Sequence, residues 1–192
     1  MPVLQVIVVS TREGRVGLPV ARWFHDAAVA HGRFDVELVD LATFNLPVFD
    51  EPEHPRLRRY QHAHTKAWSA KVEEADAFVF VTPEYNFGPP PSLINALNYL
   101  VVEWHYKPAG FVSYGGISGG LRAVQMAKQA ATTLRMMAIP EGVPIPFFAA
   151  AIDKETQAFK ATESHERSAA TMLKELVKWS EAMKALRAVD PV

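Results

Sequence analysis

The feature that most constrains this chain is an alternation of apolar runs with helical periods. "VLQVIVV" at residues 3–9 is a β-branched run of strand length. It does not alternate apolar with polar positions, as a strand buried on one face would, so it reads as a strand covered on both faces. Four more runs resemble it: "FDVELVD" (34–40), "DAFVFVT" (76–82), "PAGFVSYG" (108–115) and "VPIPFFAA" (143–150). Pro146 interrupts the last and places it at a sheet edge. Stretches with helical spacing separate the runs, at about 17–31, 56–74, 91–103, 119–137 and 165–187. In the last of these, Leu173, Leu176, Val177, Met183 and Leu186 share one face and Lys174, Glu175, Lys178 and Glu181 the other.

Strands that alternate with helices need crossover connections, which give a mainly parallel sheet with helices on both sides. Five such pairs in 192 residues predict a flavodoxin-like three-layer α/β sandwich. Its sheet is expected to be five-stranded and parallel, of order 2-1-3-4-5, within one domain spanning residues 1–192. Hydrophobic residues make up 49% of the chain, enough for one sizeable core. The loop "FNLPVFDEPEHP" (44–55) lies inside that domain and is not a boundary.

Charge and composition then exclude partners. With 20 basic and 21 acidic residues the net charge is -1, which provides no general field for nucleic acid or an anionic membrane. No cysteine is present, so disulfides, thiolate metal sites and cysteine nucleophiles are excluded, and a reducing compartment is compatible. The N-terminal apolar run is too short for a signal peptide, and no apolar window approaches the roughly 20 residues of a membrane span. The expectation is a cytoplasmic protein.

In an open α/β sheet, ligands bind beyond the carboxyl ends of the strands, near the point where strand order reverses. The loops after the first, third and fourth strands meet there, and all three are chemically unusual. The first, "STREGRVG" (10–17), supplies hydroxyls from Ser10 and Thr11 and forked cations from Arg12 and Arg15. Gly14 and Gly17 let the backbone turn so that amides at the next helix start converge, which is the chemistry of a phosphate seat. It is neither a Walker A loop nor a Rossmann Gly-x-Gly-x-x-Gly, and the bland reading is a capped helix start with solvated arginines.

The second loop, "TPEYNFGPPPS" (82–92), has proline on either side of Glu84, Tyr85, Asn86 and Phe87. Pro83 and Pro89, Pro90 and Pro91 leave those side chains and amides little entropy to lose, which suits a planar heteroaromatic ligand. Ser92 is placed to cap the helix that follows. A plain proline-rich turn is the simpler alternative. The third loop, "SYGGISGG" (113–120), carries four glycines that allow close backbone approach. Its weight comes from lying on the same edge as the other two.

Together these segments resemble the NADPH-dependent FMN reductase family, flavodoxin-like flavoproteins that include quinone, azo-dye and chromate reductases. The likeness covers about the first 140 residues. "TPEYN" at residues 82–86 followed by P-x-x-L-x-N-A-L from Pro90 is its most specific part. The first loop resembles the family's Gly-Ser-x-Arg signature, with Val9 in place of the glycine. "GGISGGLRA" and the "LR" at Leu134 and Arg135 resemble the segment after strand four and the end of its helix. The resemblance implies that Ser10, Thr11, Arg12, Arg15, Val16 and Gly17 surround an FMN phosphate. It implies that Pro83, Glu84, Tyr85, Asn86 and Phe87 line the flavin ring, with Ser113, Gly115 and Gly116 nearby. Phe87 stands where the family usually has a small residue.

The activity so implied is electron transfer from NADPH, or NADH, through FMN to a small-molecule acceptor such as free flavin, a quinone or an azo compound. Homodimers or homotetramers are expected by the same analogy. The flavin does the chemistry, so no catalytic acid or base is required. Glu84 reads as a brace of its loop or a partner across a subunit interface, because a carboxylate beside anionic reduced flavin would be unfavourable. His62 and His64, on an expected helix, would project about 200° apart and make no metal face. Trp104 and Tyr106 in "EWHYKP" read as packing, with a subunit contact as the functional alternative. Arg56, Arg58 and Arg59 read as a solvated helix start that could lie near an NADPH phosphate. The competing classes are a flavodoxin-type electron carrier, disfavoured by the near-neutral charge, and a flavin-free regulatory protein on the same scaffold.

Overall fold

A computed structural model describes residues 1–189. Five strands, β1 (Val3–Val8), β2 (Asp35–Asp40), β3 (Ala77–Pro83), β4 (Pro108–Tyr114) and β5 (Met137–Ile145), form one sheet of order β2-β1-β3-β4-β5. Every pairing is parallel. The helices are α1 (Gly17–His31), α2 (Ala63–Glu73), α3 (Pro91–Asn98), α4 (Leu121–Thr133) and α5 (Glu163–Val189). This is the flavodoxin-like order expected from the alternation.

The two central strands β3 and β4 are buried at every position, which is why their sequences lack a period of two. One face of the sheet packs against α1 and α5 through Phe24, Met172, Leu173 and Leu176. The other packs against α2, α3 and α4, where Trp68, Trp104, Phe78 and Phe80 form an aromatic cluster. The chain runs from β1 outward to β2 and then back across to β3, so strand order reverses between β1 and β3. The loops that leave β1, β3 and β4 therefore emerge along one edge of the sheet at this reversal.

Several boundaries differ from expectation. The fifth strand lies at Met137–Ile145, not at 143–150. Its prolines 140 and 144 are tolerated because an edge strand leaves one side of the backbone unpaired. Phe147, with φ of 49°, then turns the chain into a 3-10 turn at Phe148–Ala151. α2 begins at Ala63, not 56, because Arg58 is left-handed (φ 52°) and ends a short 3-10 turn at Pro55–Leu57. α3 ends at Asn98 and gives way to a separate 3-10 turn, Val102–Trp104, in which Trp104 is buried. α4 is shorter than 119–137: Gly119 and Gly120 have φ of 60° and 87°, outside helical space, and Arg135 (φ 55°) stops the other end.

Candidate functional site

The first loop leaves several of its donors unopposed. α1 starts at Gly17 with Val16 at the cap position, and no side chain caps it and no acidic residue occupies its first turn. Free amides and the positive end of the helix dipole therefore face the loop. Arg12 and Arg15 bracket the turn, which the Arg15 amide closes on the Arg12 carbonyl at 3.2 Å. A terminal nitrogen of Arg15 pairs with Asp40 at the end of β2. Its Nε is buried without a partner among the described residues. Thr11 is exposed.

Two tyrosines tie this loop to its neighbours. Ser10 is buried, and its hydroxyl lies 3.1 Å from that of Tyr85 in the second loop. Tyr114, the last residue of β4, reaches the start of α1, where a Cβ on Gly17 would sit 2.6 Å from its hydroxyl oxygen. Only glycine allows that approach. Burial pushes the Tyr114 pKa up, Tyr85 adds to the rise, and Arg12 and Arg15 oppose it. The group stays a neutral hydroxyl beside the first loop. Neither Tyr114 nor Asp40 stands out in the sequence by type or spacing, although Tyr114 lies within "SYGG".

The second loop, by contrast, spends its polar side chains on its neighbours. Thr82 and Pro83 end β3 fully buried. The Glu84 carboxylate accepts from the Ser118 hydroxyl (2.8 Å), the Arg122 amide (3.2 Å) and Arg122 Nε (2.7 Å). Burial raises its pKa, but the hydrogen bonds from Arg122 and Ser118 outweigh this and hold it below the ordinary carboxylate value. Glu84 is thus a brace within the chain, joining the second loop to the third and to α4. Tyr85 and Gly88 exchange both backbone hydrogen bonds, at 2.8 and 2.9 Å. Between them Asn86 (φ 48°) and Phe87 (φ 71°) form a two-residue turn of the mirror-image hairpin type, which favours Asn-Gly. Phe87 takes the glycine place and is exposed. The amides of Asn86 and Phe87 make no hydrogen bond among the described residues.

Ser92 does not cap α3, which begins at Pro91 after Pro90. Its hydroxyl donates instead to the Val9 carbonyl at 2.8 Å and fastens α3 to the end of β1.

In the third loop Ser113 is buried and its hydroxyl donates to the Gly119 carbonyl at 2.8 Å. A Cβ on Gly120 would lie 2.7 Å from that of Ser113, so the loop folds back onto its own strand. Gly115 lies beside Glu84, its Cβ position 3.5 Å from the Glu84 Cβ, whereas Gly116 faces open space. The structure thus brings Ser10, Gly17, Glu84, Tyr85 and Gly115 together with Tyr114. It turns the Ser113 side chain away into the loop's own packing.

A cavity of about 810 Å³ adjoins the first loop, lined by Thr11, Leu41, Asn45, Leu46, Ile94 and Asn95 among others. It shares only Thr11 with the site residues expected from sequence. The chain that walls it is pinned: Asn95 donates to the Pro47 carbonyl (2.6 Å) and accepts from the Phe49 amide (3.0 Å), and the Tyr99 hydroxyl donates to Asp50 (2.9 Å). Asp50 also meets His64 at 3.0 Å. His62 and His64 stack with centroids 5.2 Å apart and planes at 11°, contrary to the 200° divergence expected. His62 precedes α2 in an extended conformation, so helical geometry never applied to the pair.

Other sequence candidates turn out structural. The Trp104 indole donates to the Leu97 carbonyl inside the core. Arg58 pairs with Glu73 at 2.7 Å and Arg59 with Glu53 at 3.5 Å.

Comparison with known proteins follows the same lines. The model of the NADPH-dependent FMN reductase family matches residues 2–150. An NAD(P)H-dependent FMN reductase of Schizosaccharomyces pombe is 43% identical over 141 residues, 72% of this chain and 70% of that one. A quinone reductase of Pseudomonas putida is 30% identical over 145 residues, 71% of this chain and 74% of that one. Among solved structures, the flavoenzyme NAD(P)H:(acceptor) oxidoreductase FerB of Paracoccus denitrificans superposes with a TM-score of 0.72 at 21% identity. That likeness covers 95% of this chain and 99% of the other. The fold is that of a flavodoxin-like α/β protein, and the chain belongs to the NADPH-dependent FMN reductase family. It is an FMN-dependent NAD(P)H oxidoreductase.

Proposed function

We propose that residues 10–17 seat the FMN phosphate and that the second and third loops hold the flavin ring. Electrons then pass from NAD(P)H to a small acceptor, a quinone, azo compound or free flavin. The observation that carries this reading is the uncapped start of α1, flanked by Arg12 and by the partnerless buried Nε of Arg15. A dianionic phosphate there meets helix amides, two guanidinium groups and the hydroxyls of Ser10 and Thr11. The neutral Tyr114 hydroxyl adds a donor from β4.

FMN, when bound, supplies the redox chemistry, taking a hydride equivalent from the nicotinamide and releasing two electrons to the acceptor. The chain's own residues bind and orient. The unengaged amides of Asn86 and Phe87 offer fixed dipoles to the polar edge of the ring without a titrating side chain. Glu84 holds no proton for the reaction, because its carboxylate is consumed by Arg122 and Ser118.

Homodimers or homotetramers belong to the same proposal. Ile117, Leu121, Met126 and Phe147, all from elements at the β4 and β5 end, are exposed apolar residues that such assembly would cover. Action in the cytoplasm belongs to the same proposal: the cysteine-free sequence is compatible with a reducing compartment, and no described helix is long and apolar enough to cross a membrane. Purified protein should be yellow, release FMN on denaturation and oxidise NADPH when given a quinone or an azo dye. Colourless protein that binds no added FMN would overturn the reading, and light scattering in solution checks the assembly.

A further inference from the structure

Phe87 combines three properties that rarely coincide. Its φ of 71° lies in the left-handed region, where a bulky side chain is strained. It is 65% exposed, so burial does not offset that strain. Yet its ring has a partner: the Arg122 guanidinium lies 3.8 Å from the ring centroid, and Arg122 is itself held by the Glu84 carboxylate. Backbone strain of this kind persists where the surrounding structure enforces it and collects at functional sites. Here the turn is enforced by the paired hydrogen bonds of Tyr85 and Gly88.

With one face covered by the guanidinium and the residue still largely exposed, the other face of the ring is open. The turn also carries Asn86 and follows Tyr85, whose hydroxyl touches Ser10 at the phosphate seat. The platform carries no net charge, since the Glu84 carboxylate offsets the guanidinium. A flat, uncharged ring system gains most from it, through offset stacking on a ring that the guanidinium already restrains.

We propose that Phe87, oriented by Arg122, is a specificity-determining residue that stacks an uncharged, fused-ring quinone acceptor beside the flavin. This rests on the FMN and acceptor assignment above. Phe87 takes no part in the transfer itself. The acceptor gains two electrons from reduced flavin and two protons, from the flavin and from solvent, to become a hydroquinone.

The test compares Phe87→Leu and Phe87→Trp with the parent holoenzyme. One measurement is equilibrium binding of a naphthoquinone to the oxidised holoenzyme, followed through the flavin spectrum. The others are anaerobic flavin reduction by NADPH and steady-state turnover with the naphthoquinone and with ferricyanide, which is neither flat nor aromatic. Phe87→Leu should weaken naphthoquinone binding and raise its KM by about tenfold, a change several times larger than any in flavin reduction or in the ferricyanide KM. Phe87→Trp should restore binding. Unchanged naphthoquinone affinity in Phe87→Leu, or failure of Phe87→Trp to restore it, would overturn the assignment of Phe87. So would a loss of oligomer in Phe87→Leu with naphthoquinone affinity intact, since the ring would then serve a subunit contact. A parent protein that binds no FMN or is not reduced by NADPH would instead overturn the underlying function.

Discussion

The loops at residues 10–17 and 82–92 meet at the same sheet edge but use their polar groups in opposite ways. In the first, the α1 amides are uncapped, a buried Arg15 Nε has no partner and Arg12 carries no ion pair among the described residues. In the second, Glu84 is saturated by Ser118 and Arg122, Tyr85 and Gly88 bond to each other, and Ser92 fastens the following helix to β1. A seat for a charged group keeps donors unsatisfied until the ligand arrives, because an intramolecular partner would compete with it. A wall for a flat ring needs shape and immobility, so its side chains can be spent on holding it still. Affinity should therefore reside mainly in the first loop and selection of what lies against the ring in the second.

Removing the cations is the strongest way to break this contrast. Arg12→Ala with Arg15→Ala should weaken FMN binding by about 10²–10⁴-fold, since charge-assisted hydrogen bonds contribute about 1.5–3 kcal/mol each. Apoprotein stability should fall by less than about 1 kcal/mol, because the Arg15–Asp40 pair remains partly open to solvent. Fluorescence titration of apoprotein with FMN, alongside urea melts, separates the two effects. A loss of stability matching the loss of binding would erase the distinction between the loops.

Gly17→Ala comes next. Its Cβ would collide with the Tyr114 hydroxyl, at a cost of about 1–3 kcal/mol. Adding Tyr114→Phe removes the colliding oxygen and should recover much of the stability but not the FMN affinity. Urea melts of the single and double variants, with FMN titration of each, check this coupling.

The smallest effect belongs to the brace. Glu84→Gln should destabilise the protein by about 1–2 kcal/mol at neutral pH, through loss of hydrogen bonds to a charged group. The folded-state pKa of Glu84 lies below its ordinary value of 4.5, so its contribution is complete above that value and disappears as pH falls through the lowered one. The stability gap between parent and variant should thus be constant from neutral pH down to about 4.5 and close in more acidic solution. Urea melts across that range measure it. FMN affinity should change little, which sets this variant apart from the arginine pair.

The fold was legible because buried parallel strands announce themselves as unbroken apolar runs, and all but the last were placed within a residue or two. The last failed because an edge strand tolerates prolines 140 and 144, which read as interruptions, while the apolar residues after Ile145 belong to a 3-10 turn. Helix ends failed where a left-handed residue such as Arg58 or Arg135 stopped the helix, since neither is a residue type that signals such a conformation. Loop chemistry was legible as composition: hydroxyls and arginines in the first loop, rings and prolines in the second. The pairings were not. That Glu84 would find Arg122, or that Tyr114 would reach Gly17, depends on register between β3 and β4 and on the path of α1, which no local pattern encodes. His62 and His64 make the same point, since their stacking depends on where α2 begins.

The division between a charged seat and a rigid wall is tested most directly by comparing FMN with riboflavin, which carries the same ring but no phosphate. The parent apoprotein should prefer FMN by about a hundredfold or more. The Arg12→Ala, Arg15→Ala variant should lose most of that preference while keeping its riboflavin affinity. A preference for FMN that survives in the variant, or a riboflavin affinity that falls in step with it, would contradict the division.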